Sequence, residues 1–171
     1  ITVQALVLAS PAQGYGRASA EVREAKYNDR VNTVARLGIE GMAAARSSAL
    51  CAAGASSDVI ATVQENMRLV TVGGYRQAAY LLSHGDIRQH LARNRVPTVV
   101  VCGALDSVTP PQGAQALAAE FGYPFVEIPD VAHALYVEQP AAFCGVLRHW
   151  VPLLCQPNMS SQASRHALRR H

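Results

Sequence analysis

The stretch Val96-Pro97-Thr98-Val99-Val100-Val101-Cys102-Gly103-Ala104-Leu105-Asp106-Ser107-Val108-Thr109-Pro110-Pro111 decides the fold. Its first half is a β-branched apolar run stopped by glycine, the pattern of a strand buried on both faces in a parallel sheet. Its second half is a Gly- and Pro-containing loop that carries one acid, and a helix is expected after it from about Gln112 to Phe121. Phe125-Val126-Glu127-Ile128 then reads as another strand. Upstream, Thr2-Val3-Gln4-Ala5-Leu6-Val7-Leu8-Ala9 is a similar apolar run, ended by Ser10-Pro11 and then Gly14 and Gly16.

Between the first two strands the period changes. Val59, Val63, Met67 and Val70 recur at helical spacing after the cap Ser57-Asp58, and Tyr75, Ala79 and Leu82 continue the pattern beyond Gly73-Gly74. Val31, Val34 and Ala35 read as a helix ending at Gly38, and Met42 to Ala53 as one stopped by Gly54. A last helix starts near Gln139-Pro140, carries Phe143, Leu147 and Trp150 on one face, and is brought to an end by Pro152 and Pro157. Strands separated by helices imply an α/β chain with a parallel sheet. Three strands leave a long unpaired edge, which suggests that further strands come from outside the chain.

Composition narrows the function. The chain has 171 residues, half of them apolar, with 15 basic and 12 acidic side chains. Arg165, Arg169 and Arg170 lie in the polar tail 156–171, which has no acid, so residues 1–155 balance at 12 against 12. A neutral body does not offer the clustered cations of a nucleic-acid surface. The longest apolar runs are far below the ~20 residues needed to span a bilayer, so no membrane partner is expected. The four cysteines, Cys51, Cys102, Cys144 and Cys155, lack C-x-x-C pairing and read as buried small apolar residues. Together with the absence of a secretory signal, this points to a cytoplasmic location.

Open parallel sheets carry their chemistry in the loops at the carboxyl ends of the strands. Asp106 follows the second strand, and His133, in Pro129-Asp130-Val131-Ala132-His133-Ala134, follows the third. A carboxylate that accepts one imidazole N–H fixes the tautomer and leaves the other nitrogen to take a proton. Asp130 is closer to His133 in sequence and competes as its partner, although a Pro-Asp step reads more naturally as a turn. His84, His90 and His149 lie on helices without metal-ligand spacing, and His166 and His171 sit in the tail, so neither a metal nor a cofactor is expected. Met42, Leu50, Met67 and Tyr75 read as packing residues before pocket residues. Val108 and Leu135, flanking the acid and the histidine, are the better candidates for substrate binding.

Three motifs in order resemble the carboxyl-terminal part of an α/β-hydrolase: Val96-Pro97-Thr98 entering a strand, Gly103-x-x-Asp106-x-x-x-Pro110, and His133 followed by Glu138-x-Pro140. Thr109-Pro110-Pro111, Val137-Glu138-Gln139-Pro140 and the Gly74-Tyr75-x-x-Ala78 region resemble the 3-oxoadipate enol-lactonase-like esterases and lactonases in particular. The resemblance implies residues 1–16 as a core strand and loop, 17–95 as a helical cap inserted over the active site, and 96–155 as the core strands and helices with the two functional loops. It also implies that the amino-terminal half of the fold is absent from the chain.

By the same resemblance Asp106 is the triad acid and His133 the general base in a serine-type hydrolase of a small ester or lactone. The family's nucleophile sits in a G-x-S-x-G elbow, and none exists here. Gly54-Ala55-Ser56-Ser57-Asp58 lacks the closing glycine and follows a helix, while Ser10 reads as a turn residue. The expected partners are therefore a small-molecule ester or lactone and a complementary amino-terminal segment or chain that brings the nucleophile and oxyanion hole. The rival reading is a non-catalytic hydrolase-like module that binds through its open sheet edge.

Overall fold

A computed structural model describes residues 2–94 and 96–156. In chain order the elements are β1 (Leu6–Ala9), α1 (Ala20–Arg46), α2 (Ser57–Arg68), α3 (Val72–His84), α4 (Ile87–Arg93), β2 (Thr98–Gly103), α5 (Pro111–Phe121), β3 (Phe125–Ile128), α6 (Leu135–Glu138) and α7 (Pro140–Leu154). They form two compact units, one holding the chain up to Pro11 and from Leu91 on, the other Ala12–His90. The basic tail expected to be unstructured lies, apart from Gln156, outside the described residues.

The first unit is the sheet. Its strand order is β1-β2-β3 and both pairings are parallel, with Val7 opposite Val99 and Val101 opposite Val126. Every residue of the central β2 is buried, because a strand paired on both edges and covered on both faces meets no water. Its side chains alternate as the pleat requires. Val99 and Val101 join Ile128, Val131, Leu135 and Leu154 under α7, whereas Val100 and Cys102 pack with Ala114 and Ala118 of α5. β1 is shorter than the apolar run suggests and only half-buried, since among the described residues it pairs with β2 alone.

Helix ends follow local chemistry, and here several sequence expectations need correction. α5 opens with Pro111 in its first turn and closes at Gly122 in the left-handed conformation. α7 continues through Pro152 to Leu154, because a proline this close to the end removes one hydrogen bond and leaves the preceding ladder intact.

In the helical unit, α1 does not stop at Gly38 but kinks there, where φ 67 and ψ 177 are open only to glycine, and then runs on to Arg46. The segment expected as a helix from Met42 to Ala53 is therefore the end of α1 plus a short 3₁₀ turn, Ser48–Leu50. α2 is capped by Ser56 rather than Ser57, its Oγ accepting the Val59 N–H at 3.3 Å. Gly73 and Gly74 belong to the first turn of α3, which Thr71 caps through the Gly74 N–H. Met42 and Val63 are buried, with Val34, Ala43 and Ala79, in the positions the helical stripes assign to packing.

One close approach positions the loops that follow β2 and β3. A Cβ on Gly103 would collide with the backbone carbonyl oxygens of Ala132 and Val131, so only glycine lets β2 end against the histidine loop. Gly145 on α7 has open space around the same position. Gly103→Ala is expected to destabilise the chain by about 2 kcal/mol, and Gly145→Ala to stabilise it by roughly 0.5–1 kcal/mol through helix propensity. Urea unfolding midpoints check both, and similar midpoints for the two variants would refute the packing assigned to Gly103.

Candidate active site

The loop after β2 wraps around the Asp106 carboxylate. Oδ1 accepts the backbone N–H groups of Val108 and Thr109, both at 2.9 Å. This is an Asx-type turn, which explains an acid in this Gly- and Pro-bounded segment. Oδ2 accepts the Thr109 hydroxyl at 2.8 Å and lies 3.0 Å from His133 Nδ1. The Cys102 Sγ, 3.7 Å from the same oxygen, approaches from β2. The carboxylate is fully buried, whereas the imidazole is 26 % exposed.

The loop after β3 is fixed independently. Asp130 adopts a left-handed conformation (φ 59) and turns the chain out of the strand. Val131 and Ala132 are buried, and the Ala132 N–H donates to Glu138 Oε1 at 2.9 Å, so the carboxylate of α6 braces the residue before His133. Ala104 and Leu105 donate their N–H groups to the carbonyls of Ile128 and Val131, both at 2.9 Å, which zips the acid loop to the histidine loop.

The structure thus brings Asp106 and His133 together and leaves Asp130 exposed in its turn. Val108 is 42 % exposed beside the acid. Leu135, unlike Val108, is fully buried in the core with Val99 and Val101, where α6 covers that face of the sheet. Thr109 and Glu138 were visible only as parts of motifs. Their side-chain roles had no signal of their own, since both depend on contacts between separate loops.

Electrostatics separate the candidates. Burial pushes the Asp106 carboxyl up, but hydrogen bonds from His133 and Thr109 outweigh it and hold the group well below the ordinary carboxylate range. The acid is ionised at neutral pH and accepts the Nδ1 proton, leaving Nε2 for proton transfer. Burial and the nearby Asp106 charge push the Cys102 thiol up to about 11, so it serves as a weak donor rather than a nucleophile. Of the other cysteines, Cys51 is buried, Cys144 half-buried and Cys155 exposed, which corrects the expectation that all four are internal.

Ser56 spends its hydroxyl on the α2 cap. Asp86, buried in the helical unit beside a cavity of about 350 Å³ lined by Leu81, Leu82, Ile87 and His90, is held by Arg17 Nε at 2.9 Å and by the Arg88 N–H at 3.0 Å. Among the described residues no group of three or more metal-ligating side chains forms, and no helix is long and apolar enough to cross a membrane.

A short parallel sheet, helices on both faces, and an acid and a histidine in its successive carboxyl-end loops correspond to the carboxyl-terminal part of an α/β-hydrolase fold. It is similar to two curated proteins of Acinetobacter baylyi: 3-oxoadipate enol-lactonase 2, with 28% identity over 88 residues, and 3-oxoadipate enol-lactonase 1, with 28% over 78. Those alignments cover 52% and 46% of this chain and 33% and 29% of the two relatives. Among solved structures, a thermophilic esterase from Thermogutta terrifontis superimposes with a TM-score of 0.75 at 24% identity, over 90% of this chain and 57% of that one. A hydrolase from Pseudomonas aeruginosa gives 0.68 at 27% over 85% and 54%, and an enol-lactonase from Burkholderia xenovorans 0.69 at 19% over 88% and 56%. The chain therefore spans little more than half the length of these structures. No family model matches it.

A carboxylate whose proton affinity is lower folded than unfolded makes stability rise with pH. The contribution of Asp106 is complete above about pH 4, where the unfolded carboxyl is ionised, and is lost as pH falls toward the lower folded value. Urea unfolding between about pH 6 and 2 should show a steeper loss for the native chain than for Asp106→Asn. Parallel curves would contradict the charge assigned to Asp106.

Proposed function

We propose that the chain supplies the acid and the general base of a serine-type hydrolase acting on a small ester or lactone, with the nucleophile and oxyanion hole contributed from outside these 171 residues. The observation that carries the reading is the 3.0 Å contact of a partly exposed imidazole with a buried carboxylate whose other oxygen is saturated by backbone donors. Asp106 holds His133 with Nε2 outward. His133 takes the proton of an attacking hydroxyl, gives it to the leaving oxygen, and then activates water against the acyl intermediate. The exposure of Val108 beside the acid supports a role for it in contacting substrate. The enol-lactonase names of the relatives support a lactone as substrate.

This reading needs a companion polypeptide segment with a nucleophile, and the test looks for it directly. The protein as isolated from its source is treated with a fluorophosphonate probe, its intact masses are measured, and hydrolysis of short-chain nitrophenyl esters and small lactones is followed. An adduct on a sequence bearing G-x-S-x-G, with turnover lost by about 10³-fold or more in His133→Ala at unchanged circular dichroism, is the expected result. A single unlabelled 18.2 kDa species without turnover would overturn this reading and favour a non-catalytic binding module.

A further inference from the structure

The Thr109 hydroxyl stands at a junction that the acid–base pair does not by itself require. Its Oγ1 is 2.8 Å from Asp106 Oδ2, 3.1 Å from His133 Nδ1 and 3.2 Å from the carbonyl oxygen of Ser10. Ser10 ends β1 in a left-handed conformation (φ 43), unusual for a serine, while its N–H donates to the Val101 carbonyl at 2.8 Å. The three neighbours therefore belong to the ends of all three strands of the sheet.

We propose that Thr109 is a positioning residue for the Asp106–His133 pair, its hydroxyl holding Asp106 Oδ2 against the imidazole and tying both to the end of β1. A hydroxyl has one proton and two lone pairs. The short contact gives that proton to Asp106 Oδ2, and a lone pair remains to share the His133 Nδ1–H. When His133 becomes cationic and draws on the full carboxylate charge, rotation about one C–O bond redirects the hydroxyl to the Ser10 carbonyl without moving either side chain. The β-branch of threonine fixes χ1, so this rotation is the only soft coordinate left.

The loop itself does not depend on this hydroxyl, because Asp106 Oδ1 already closes the turn through the N–H groups of Val108 and Thr109. That separates a role in tuning the pair from a role in folding. The other titratable groups around the pair are the Cys102 thiol on β2, Glu138 on the Ala132 N–H, and the exposed Asp130 in the histidine loop. Of these, the Cys102 thiol reaches Thr109 through the backbone carbonyl, at 3.5 Å, which a side-chain substitution retains.

The inference rests on His133 being a base held by Asp106, and its test reads proton affinity rather than turnover. A lack of esterase activity would thus strike the functional reading alone. The His133 ring is titrated by NMR in the full chain and in Thr109→Val, Thr109→Ser and Thr109→Ala. Valine keeps the shape and loses the donor, which leaves Oδ2 a stronger base, favours the imidazolium and moves the midpoint upward by roughly half to one pH unit. Serine keeps the donor and should stay within about 0.2 units of the native chain; alanine should follow valine and decides the matter if valine does not fold. An unmoved or lowered midpoint in both donor-free variants, or an equal shift in Thr109→Ser, would overturn the proposal.

Discussion

A buried carboxylate has to be satisfied on all sides, and Asp106 is the point around which the sheet unit is organised. Removing a charge from water costs several kcal/mol unless hydrogen bonds replace the lost hydration. Here two backbone N–H groups, a threonine hydroxyl and an imidazole supply them. The donors come from two pieces of chain, Val108 and Thr109 in the turn after β2 and His133 in the loop after β3. The same bonds that offset desolvation also aim the acid at the histidine, so structural need and chemical use coincide in one group.

That arrangement works only because the loops approach closely. Gly103 removes the side chain that would separate β2 from the carbonyls of Val131 and Ala132, and the backbone bonds from Ala104 and Leu105 then lock the two loops in register. Glu138 completes the clamp from the far side of the histidine loop. The Gly103-x-x-Asp106 and His133-x-x-x-x-Glu138 spacings express these two contacts in one dimension. Asp86 makes the contrast plain: it is also buried, but its oxygens accept from an arginine side chain and a backbone amide.

Much of this was legible in the residues themselves. The β-branched run at 98–101 and the glycine that follows Cys102 are strong local signals, and the acid and histidine loops followed from strand order. Boundaries in the helical unit were less legible. Gly38 marks a kink and not an end, because a single residue at positive φ bends a helix whose two halves both have packing partners. Leu135 looked like a pocket residue because it neighbours His133 in sequence, yet α6 turns it into the core.

The sequence by itself determined that the chain is α/β, that its sheet is parallel, and that an acid and a histidine occupy adjacent loops, since periodicity and element order are local properties. The three-dimensional structure decided which acid faces the histidine, that the Cys102 thiol is a donor, and that Thr109 joins the ends of three strands. The first and last of these depend on distances between residues 24 to 99 positions apart along the chain, and no local pattern encodes such a distance.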